Sequence, residues 1–299
     1  MTKVLHKSVL LDEAVGFLDV KRGETYIDTT LGAGGHTKKI LERGGKVLGI
    51  DIDPKSITRV SRDFSVSIKE EEGILSGKTP SLTITQGNFA NLESIARKFG
   101  VWETPGIVFD LGFSSIQLEE GGKGLSFQKD EPLDMRLDPR LGVTAADLVN
   151  GLNQRQLYEL FSRYGEEPNS RYFARVIGIA RIKKKIETSG ELARVIEKSS
   201  KRQGKIHPAT RVFLALRIAV NDELVNLEKG LTQAASLLRS KGRLVVISFH
   251  SLEDRVVKNF FRKRGDLKIL TAKPIVPSRE EVLDNPRSRS ARLRVAEKN

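Results

Sequence analysis

Asp28-Thr29-Thr30-Leu31-Gly32-Ala33-Gly34-Gly35-His36 follows a strand-like run, Thr25 to Thr29, and leads into a helical pattern, Thr37 to Glu42. An acid closes the strand, glycines make the turn, and the helix that follows opens with unsatisfied N–H groups at its first turn. Two tighter phosphate-binding patterns are not met. A dinucleotide fingerprint needs a third glycine at position 37, where Thr37 stands, and no Gly-Lys-Ser/Thr follows as a P-loop would require. Alone, the turn suits a tight structural bend as well as a ligand site.

The neighbouring segments favour the ligand site. Lys46 to Ile50 reads as a second strand ending in Asp51, a carboxylate placed to accept ribose hydroxyls. Asp53 directly precedes Pro54 and is better read as the N-cap of the next helix. Ser81 to Thr85 and Gly106 to Leu111 supply a third and a fourth strand, followed by Asn88-Phe89 and closed by Asp110 respectively. Strand–helix alternation predicts a parallel sheet with right-handed crossovers. Ligands of such sheets lie at the carboxyl ends of the strands, where Asp28, Asp51, Phe89 and Asp110 gather. As a set they favour a nucleoside cofactor; Phe89 by itself fits either an adenine face or the core.

The alternation then stops. Gly121 to Arg140 is a glycine- and proline-rich loop, and Thr144 to about Gly204 reads as helical, with capping-box spacing at Thr144/Asp147 and Thr188/Glu191 and no strand. A helix ending near Leu238 and a Lys241-Gly242 turn precede a fifth strand, Arg243 to Phe249; Leu267 to Leu270 and Ala291 to Val295 are two final strands. The fold class is therefore α/β, its sheet interrupted between the fourth and fifth strands by a helical insertion.

Composition narrows the class of partner. The 299 residues carry a net charge of +13 with no cysteine, which excludes disulfides, thiolate metal sites and a cysteine nucleophile. The most apolar run, Leu244 to Phe249, is too short to cross a bilayer, and Asp12 and Glu13 interrupt the N-terminal apolar stretch, so neither a membrane span nor a signal peptide is expected and the cytoplasm is the expected location. Basic residues outnumber acids between Arg181 and Arg217 and recur at Arg287, Arg289, Arg292 and Arg294, pointing to a polyanionic partner. His6, His36, His207 and His250 have no metal-ligand spacing, and no metal is expected.

Longer motifs carry a resemblance. Asp110-Leu111-Gly112-Phe113-Ser114-Ser115-Ile116-Gln117, Pro132-Leu133-Asp134-Met135-Arg136, His207-Pro208-Ala209-Thr210-Arg211, Ser248-Phe249-His250-Ser251-Leu252-Glu253-Asp254-Arg255 and Asn285-Pro286-Arg287-Ser288-Arg289 resemble hallmarks of the MraW-type ribosomal RNA small-subunit methyltransferases. The opening Ser8-Val9-Leu10-Leu11-Asp12-Glu13-Ala14 is similar to that family's start. The resemblance implies a class I, Rossmann-like S-adenosylmethionine-dependent methyltransferase sheet. Residues 1–118 and 208–299 would form its discontinuous methyltransferase domain, and 119–207 an inserted, mainly helical substrate-recognition domain. It implies S-adenosyl-L-methionine as cofactor and methylation of a cytidine N4 in the decoding region of 16S ribosomal RNA, in the small subunit or its precursor. Carried over by position, Gly34, Gly35, His36, Asp51, Phe89, Asp110 and Gln117 are its cofactor-contacting residues.

A cytosine amino nitrogen is a poor nucleophile because its lone pair is delocalised into the ring. The enzyme has to hold it in line with the methyl group and offer acceptors to its hydrogens. Many amino-directed methyltransferases use Asn/Asp-Pro-Pro-aromatic after the fourth strand, where this chain has Asp110-Leu111-Gly112-Phe113. Asp110 and nearby carbonyls are the expected acceptors, and Phe113 the expected stacking partner of the base. Arg136, His250, Arg255, Arg287 and Arg289 are candidate RNA contacts, whereas Ser251 and Asp254 have the spacing of a helix cap. A methyltransferase of DNA or protein, a non-catalytic RNA-binding protein with a nucleotide pocket, and a nicotinamide-dependent oxidoreductase are the competing readings.

Overall fold

A computed structural model describes residues 7–112, 121–200 and 207–299. They form two compact units, Met1–Ser114 with Leu224–Asn299, and Ser115–Glu223. Helices along the chain are α1 (Leu11–Leu18), α2 (Gly35–Glu42), α3 (Pro54–Asp63), α4 (Leu92–Lys98), α5 (Ala145–Gly151), α6 (Gln154–Gly165), α7 (Ser170–Lys183), α8 (Ser189–Ser199), α9 (Thr210–Asn221), α10 (Glu223–Leu237), α11 (Ser251–Lys263) and α12 (Arg279–Asp284). Strands are β1 (Thr25–Asp28), β2 (Lys46–Asp51), β3 (Ile68–Glu71), β4 (Ile74–Lys78), β5 (Leu82–Gln86), β6 (Thr104–Asp110), β7 (Leu238–Ser248), β8 (Leu267–Ile269) and β9 (Arg292–Lys298).

The strands make one sheet, ordered β3-β4-β5-β2-β1-β6-β7-β9-β8. Its centre, from β5 to β7, is parallel, while β4, β9 and β8 are joined antiparallel. Each central strand alternates its side chains between two cores. Tyr26, Val47, Val108 and Val245 face helices α1 to α3, whereas Ile27, Leu48, Ile107 and Val246 face α4, α10 and α11. Burial on both faces explains why these strands read as continuous apolar runs. Chain order steps from β1 out to β2 and β5 and then returns to β6, so the direction of winding reverses between β1 and β6. That reversal opens a crevice at the carboxyl ends.

The four parallel strands expected before the insertion are present. A hairpin, β3–β4, is additional. Glu71 pairs with Ile74, leaving a two-residue turn with positive φ at Glu72 (53°) and Gly73 (74°), the geometry that matches strand twist in tight hairpins. Its charged run, Lys69 to Glu72, hides the strand pattern, and as an outer edge it needs no apolar face.

The second unit is helical, as expected, around Leu157, Phe161, Phe173, Ile177, Leu192 and Leu216. Each fully buried Leu or Phe there contributes roughly 1.5–3 kcal/mol. The capping boxes at Thr144/Asp147 and Thr188/Glu191 form. Contact packing divides the chain after Glu223 rather than at the 207/208 boundary drawn from sequence. The reason is α9. The Arg211 carbonyl lies 2.6 Å from where a Cβ would stand on Gly165 of α6, so these two helices meet backbone to backbone. Asn221 then accepts from Leu137 N at 2.8 Å and donates to the Met135 carbonyl at 2.9 Å, fastening the end of α9 to the loop before α5.

Candidate active site

The crevice between β1 and β6 is lined by acids. Asp28, at the end of β1, is 1% exposed and accepts from the Thr37 hydroxyl at 2.7 Å and Thr30 N at 3.2 Å. Thr37, which stands where a dinucleotide fold has glycine, therefore ties the start of α2 to β1. Asp51, at the end of β2, accepts from Gly32 N at 2.7 Å through Oδ2 and from Asp53 N at 2.9 Å through Oδ1. It thereby fixes the glycine turn, and each oxygen keeps a lone pair for a further donor. Asp53 caps α3 through Lys55 N at 3.2 Å, as its position before Pro54 indicates.

Asp110 ends β6 with its backbone N–H donating to Thr30 Oγ1 at 2.6 Å, which pins β6 to β1 across the reversal. Its Oδ2 lies 3.6 Å from His36 Nδ1, and its Oδ1 is buried without a hydrogen-bond partner among the described residues. Burial pushes the Asp28 and Asp51 carboxyls up to about 6. Asp110 is driven well above its ordinary value by burial and by the facing carboxylates of Asp28 and Glu253. Glu253, 3% exposed, was not singled out in the sequence. It accepts from Phe249 N at 2.8 Å and His250 N at 3.3 Å. The signal was a Glu three residues after His250, the capping-box interval.

The glycine turn has two supports. Gly34 is left-handed (φ 78°) at the N-cap of α2, with Phe64 against it. A Cβ on Gly35 would fall on Ser8 Oγ, so the N-terminal motif seats itself in the space that Gly35 leaves. That motif is held in turn by α12 and the turn after it. Leu10 N donates to Glu281 Oε1 at 2.8 Å, Asn285 Nδ2 donates to the Lys7 carbonyl at 3.1 Å, and Lys7 pairs with Asp284. Phe89 makes an edge contact with Phe109, ring centroids 5.5 Å apart, and lies against Gly230. The core half of its dual reading is thus realised, with its ring half-buried at the crevice edge. Phe113 and Gln117 lie outside the described residues.

The candidate RNA contacts separate into distinct situations. Arg255, Arg287 and Arg289 are exposed on the first unit, the last two flanking the buried Ser288. His250 is the N-cap of α11, with Nδ1 accepting from Glu253 N at 3.4 Å. The cap is therefore His250/Glu253 rather than the expected Ser251/Asp254. Asp254 instead binds Arg294 at 2.6 Å and Arg292 at 3.0 Å. Arg136, in the helical unit, is occupied internally: Nε and Nη2 each reach Asp134 at 2.7 Å, and Nη1 reaches the Leu141 carbonyl at 2.7 Å.

Four carboxylates around one crevice suit a cationic ligand with hydroxyl donors and repel a pyrophosphate, which disfavours a nicotinamide dinucleotide. A model of the MraW methylase family matches residues 3–299. The chain belongs to the MraW methylase family. Its relatives include the ribosomal RNA small subunit methyltransferase H of Dehalococcoides mccartyi, 45% identical over 100% of this chain and 88% of that one. The enzyme of the same name from Thermomicrobium roseum is 46% identical over 98% and 93%, and that from Deinococcus deserti 45% identical over 99% and 94%. A MraW methylase takes its methyl group from S-adenosyl-L-methionine, and the site accommodates that cofactor's chemistry. The free lone pairs of Asp51 would suit ribose hydroxyls, the N–H groups opening α2 a carboxylate, and the acids a sulfonium.

Proposed function

We propose that the chain methylates the N4 amino group of one cytidine in the decoding region of 16S ribosomal RNA, carried by the small subunit or its precursor in the cytoplasm. The names of its relatives and the family motifs support this substrate, and the buried Oδ1 of Asp110 beside the glycine turn, without a partner among the described residues, carries the mechanism. S-adenosylmethionine, when bound, supplies a methyl group on a good leaving group. Gly34, Gly35, His36 and Asp51 hold the cofactor, with Phe89 at the edge of its base and Gln117 completing the set. Asp110, once ionised, accepts an amino hydrogen of the cytosine. That draws the nitrogen toward tetrahedral geometry and offsets its developing positive charge. Thr30 keeps the carboxylate at the β1/β6 reversal, and Phe113 stacks on the unstacked base. The helical unit and the arginines at 255, 287 and 289 grip the RNA strand, as their charge suits.

The test is methyl transfer from labelled S-adenosylmethionine to small subunits lacking the modification, with the labelled nucleoside identified by mass spectrometry. N4-methylcytidine at one site is expected. Asp110→Asn should lower turnover by roughly 10²-fold or more while S-adenosylhomocysteine still binds. Label found only on DNA or protein would refute the substrate; binding without transfer to any particle would favour a non-catalytic RNA-binding protein.

A further inference from the structure

A second cavity lies on the first unit, away from the glycine turn. It occupies about 270 Å³ between α11, the end of β8 and β9. Lys258 and Arg262 rim it, and Phe261, 2% exposed, forms its floor. The two cations stand one turn apart on the same helix face, an arrangement that destabilises a helix by a few tenths of a kcal/mol unless an anion lies between them. Neither makes a hydrogen bond or ion pair among the described residues, and no acid lines the cavity.

Two further donors face the same space. Thr271 Oγ1 accepts from Val295 N at 2.9 Å, which leaves its O–H to donate elsewhere. Arg294 gives Nε and Nη2 to Asp254 at 2.6 and 3.2 Å, which leaves Nη1 outside that pair. Ile269, 40% exposed, and Ala272 make an apolar wall. The space is smaller than ordinary cofactor pockets, which begin near roughly 300 Å³, and suits one phosphate with its sugar.

Its position relates it to the reaction. Arg294 pairs with Val246 on β7, and Asp110 pairs with the next residue, Ile247. By strand register the cavity is level with Asp110 and two strands away, on the α11 face of the sheet, so an RNA strand reaches both by crossing the carboxyl edge. Arg255 continues the stripe of Lys258 and Arg262 along α11 toward the carboxyl edge.

We infer that this cavity is a phosphodiester subsite for the RNA strand that bears the target base. Lys258, Arg262, the Thr271 hydroxyl and Arg294 Nη1 take the phosphate oxygens, and the sugar lies on Ile269 and Ala272. The inference rests on the ribosomal RNA reading above.

The test compares wild type with K258A/R262A, both loaded with S-adenosylhomocysteine, binding a fluorescent single-stranded RNA over a salt series. Loss of the one phosphate contact should flatten the log–log salt dependence by about 0.7 on a single strand. KM for small subunits should rise, with kcat and cofactor affinity unchanged, and K258R/R262K should restore the slope. An unchanged slope and KM in K258A/R262A, with wild type methylating normally, overturns the subsite. A flattened slope with a wild type that labels no ribosomal particle upholds the subsite and refutes the substrate instead. If adenosine monophosphate binds through Lys258 and Arg262 while the RNA slope stays the same, the ligand is a free nucleotide and the inference fails.

Discussion

Gly35→Ala is the sharpest probe of how the cofactor turn is built. Gly35 opens α2 with ordinary helical backbone, and replacing glycine by alanine within a helix is worth up to about 1 kcal/mol in favour of folding. The structure reverses that sign, because the added methyl would land on Ser8 Oγ and within 3.0 Å of Ser8 Cβ. Neither neighbour yields easily: Ser8 belongs to a segment fastened at Leu10 by Glu281 and at Lys7 by Asn285. Overpacking of this kind costs about 1–3 kcal/mol. Ser8→Gly removes both colliding atoms at a backbone cost of up to about 1 kcal/mol. In that background Gly35→Ala should become neutral or stabilising. A double-mutant cycle read by denaturant unfolding should give a coupling of about 1–3 kcal/mol, and S-adenosylhomocysteine affinity, weakened in G35A, should recover in S8G/G35A. Coupling within the ~0.5 kcal/mol expected of independent sites would mean that Ser8 does not seat on Gly35.

Other consequences follow from the ionisable groups. Asp28 and Asp51 have folded pKa values of about 6, above the ordinary 3.8, so the fold favours their protonated forms. Their contribution to stability is therefore greatest below pH ~4 and declines as pH rises to ~6, by roughly 3 kcal/mol for each carboxyl; unfolding at a series of pH values checks this. Cofactor affinity should change the opposite way, increasing through pH ~6 as Asp51 ionises, with a shallower rise in Asp51→Asn; calorimetric titration that finds a flat profile in wild type would remove Asp51 from the ribose. Asp254→Ala leaves Arg294, 8% exposed, without its carboxylate and should cost about 3–5 kcal/mol, a loss that Arg294→Met in the same chain would partly restore. Arg136→Ala should destabilise the helical unit by about 1.5–3 kcal/mol and leave the RNA salt slope unchanged, since that guanidinium already serves Asp134 and Leu141; a flatter slope with normal stability would return it to the RNA interface.

What could be read from the residues depended on how loudly each local signal competed with others. The central strands were legible because burial on both faces leaves little but Val, Ile and Leu, and Asp53-Pro54 announced its own cap. The β3–β4 hairpin was missed because a solvated edge carries Lys69, Glu70 and Glu71, and its turn lacks the Asn-Gly or Asp-Gly pair that marks such turns most clearly. Helix α12 has no buried residue and hence no apolar period to detect. The ownership of α9 was hidden because Val212, Phe213, Ala215, Leu216, Ile218 and Val220 are all buried, so no single face declares which unit it joins. The acids of the crevice were legible where they close strands, at Asp28, Asp51 and Asp110. Ser8 stayed hidden because its role arises from an approach between distant segments, and Glu253 because its capping interval with His250 competed with that of Ser251 and Asp254.

The place of β9 bears on how the molecule comes into being. It lies between β7 and β8, although it follows both along the chain. While a ribosome is still making the segment before Arg292, β7 has no neighbour on its outer side and β8 has nothing to pair with. The segment from Glu281 to Asn285 that clasps Lys7 and Leu10 also emerges late. The nascent chain can therefore shape the centre of the sheet early, but the support beneath Gly35 waits until Glu281 to Asn285 have been made. The glycine turn is therefore completed only after the whole stretch from Lys7 to Asn285 has been made.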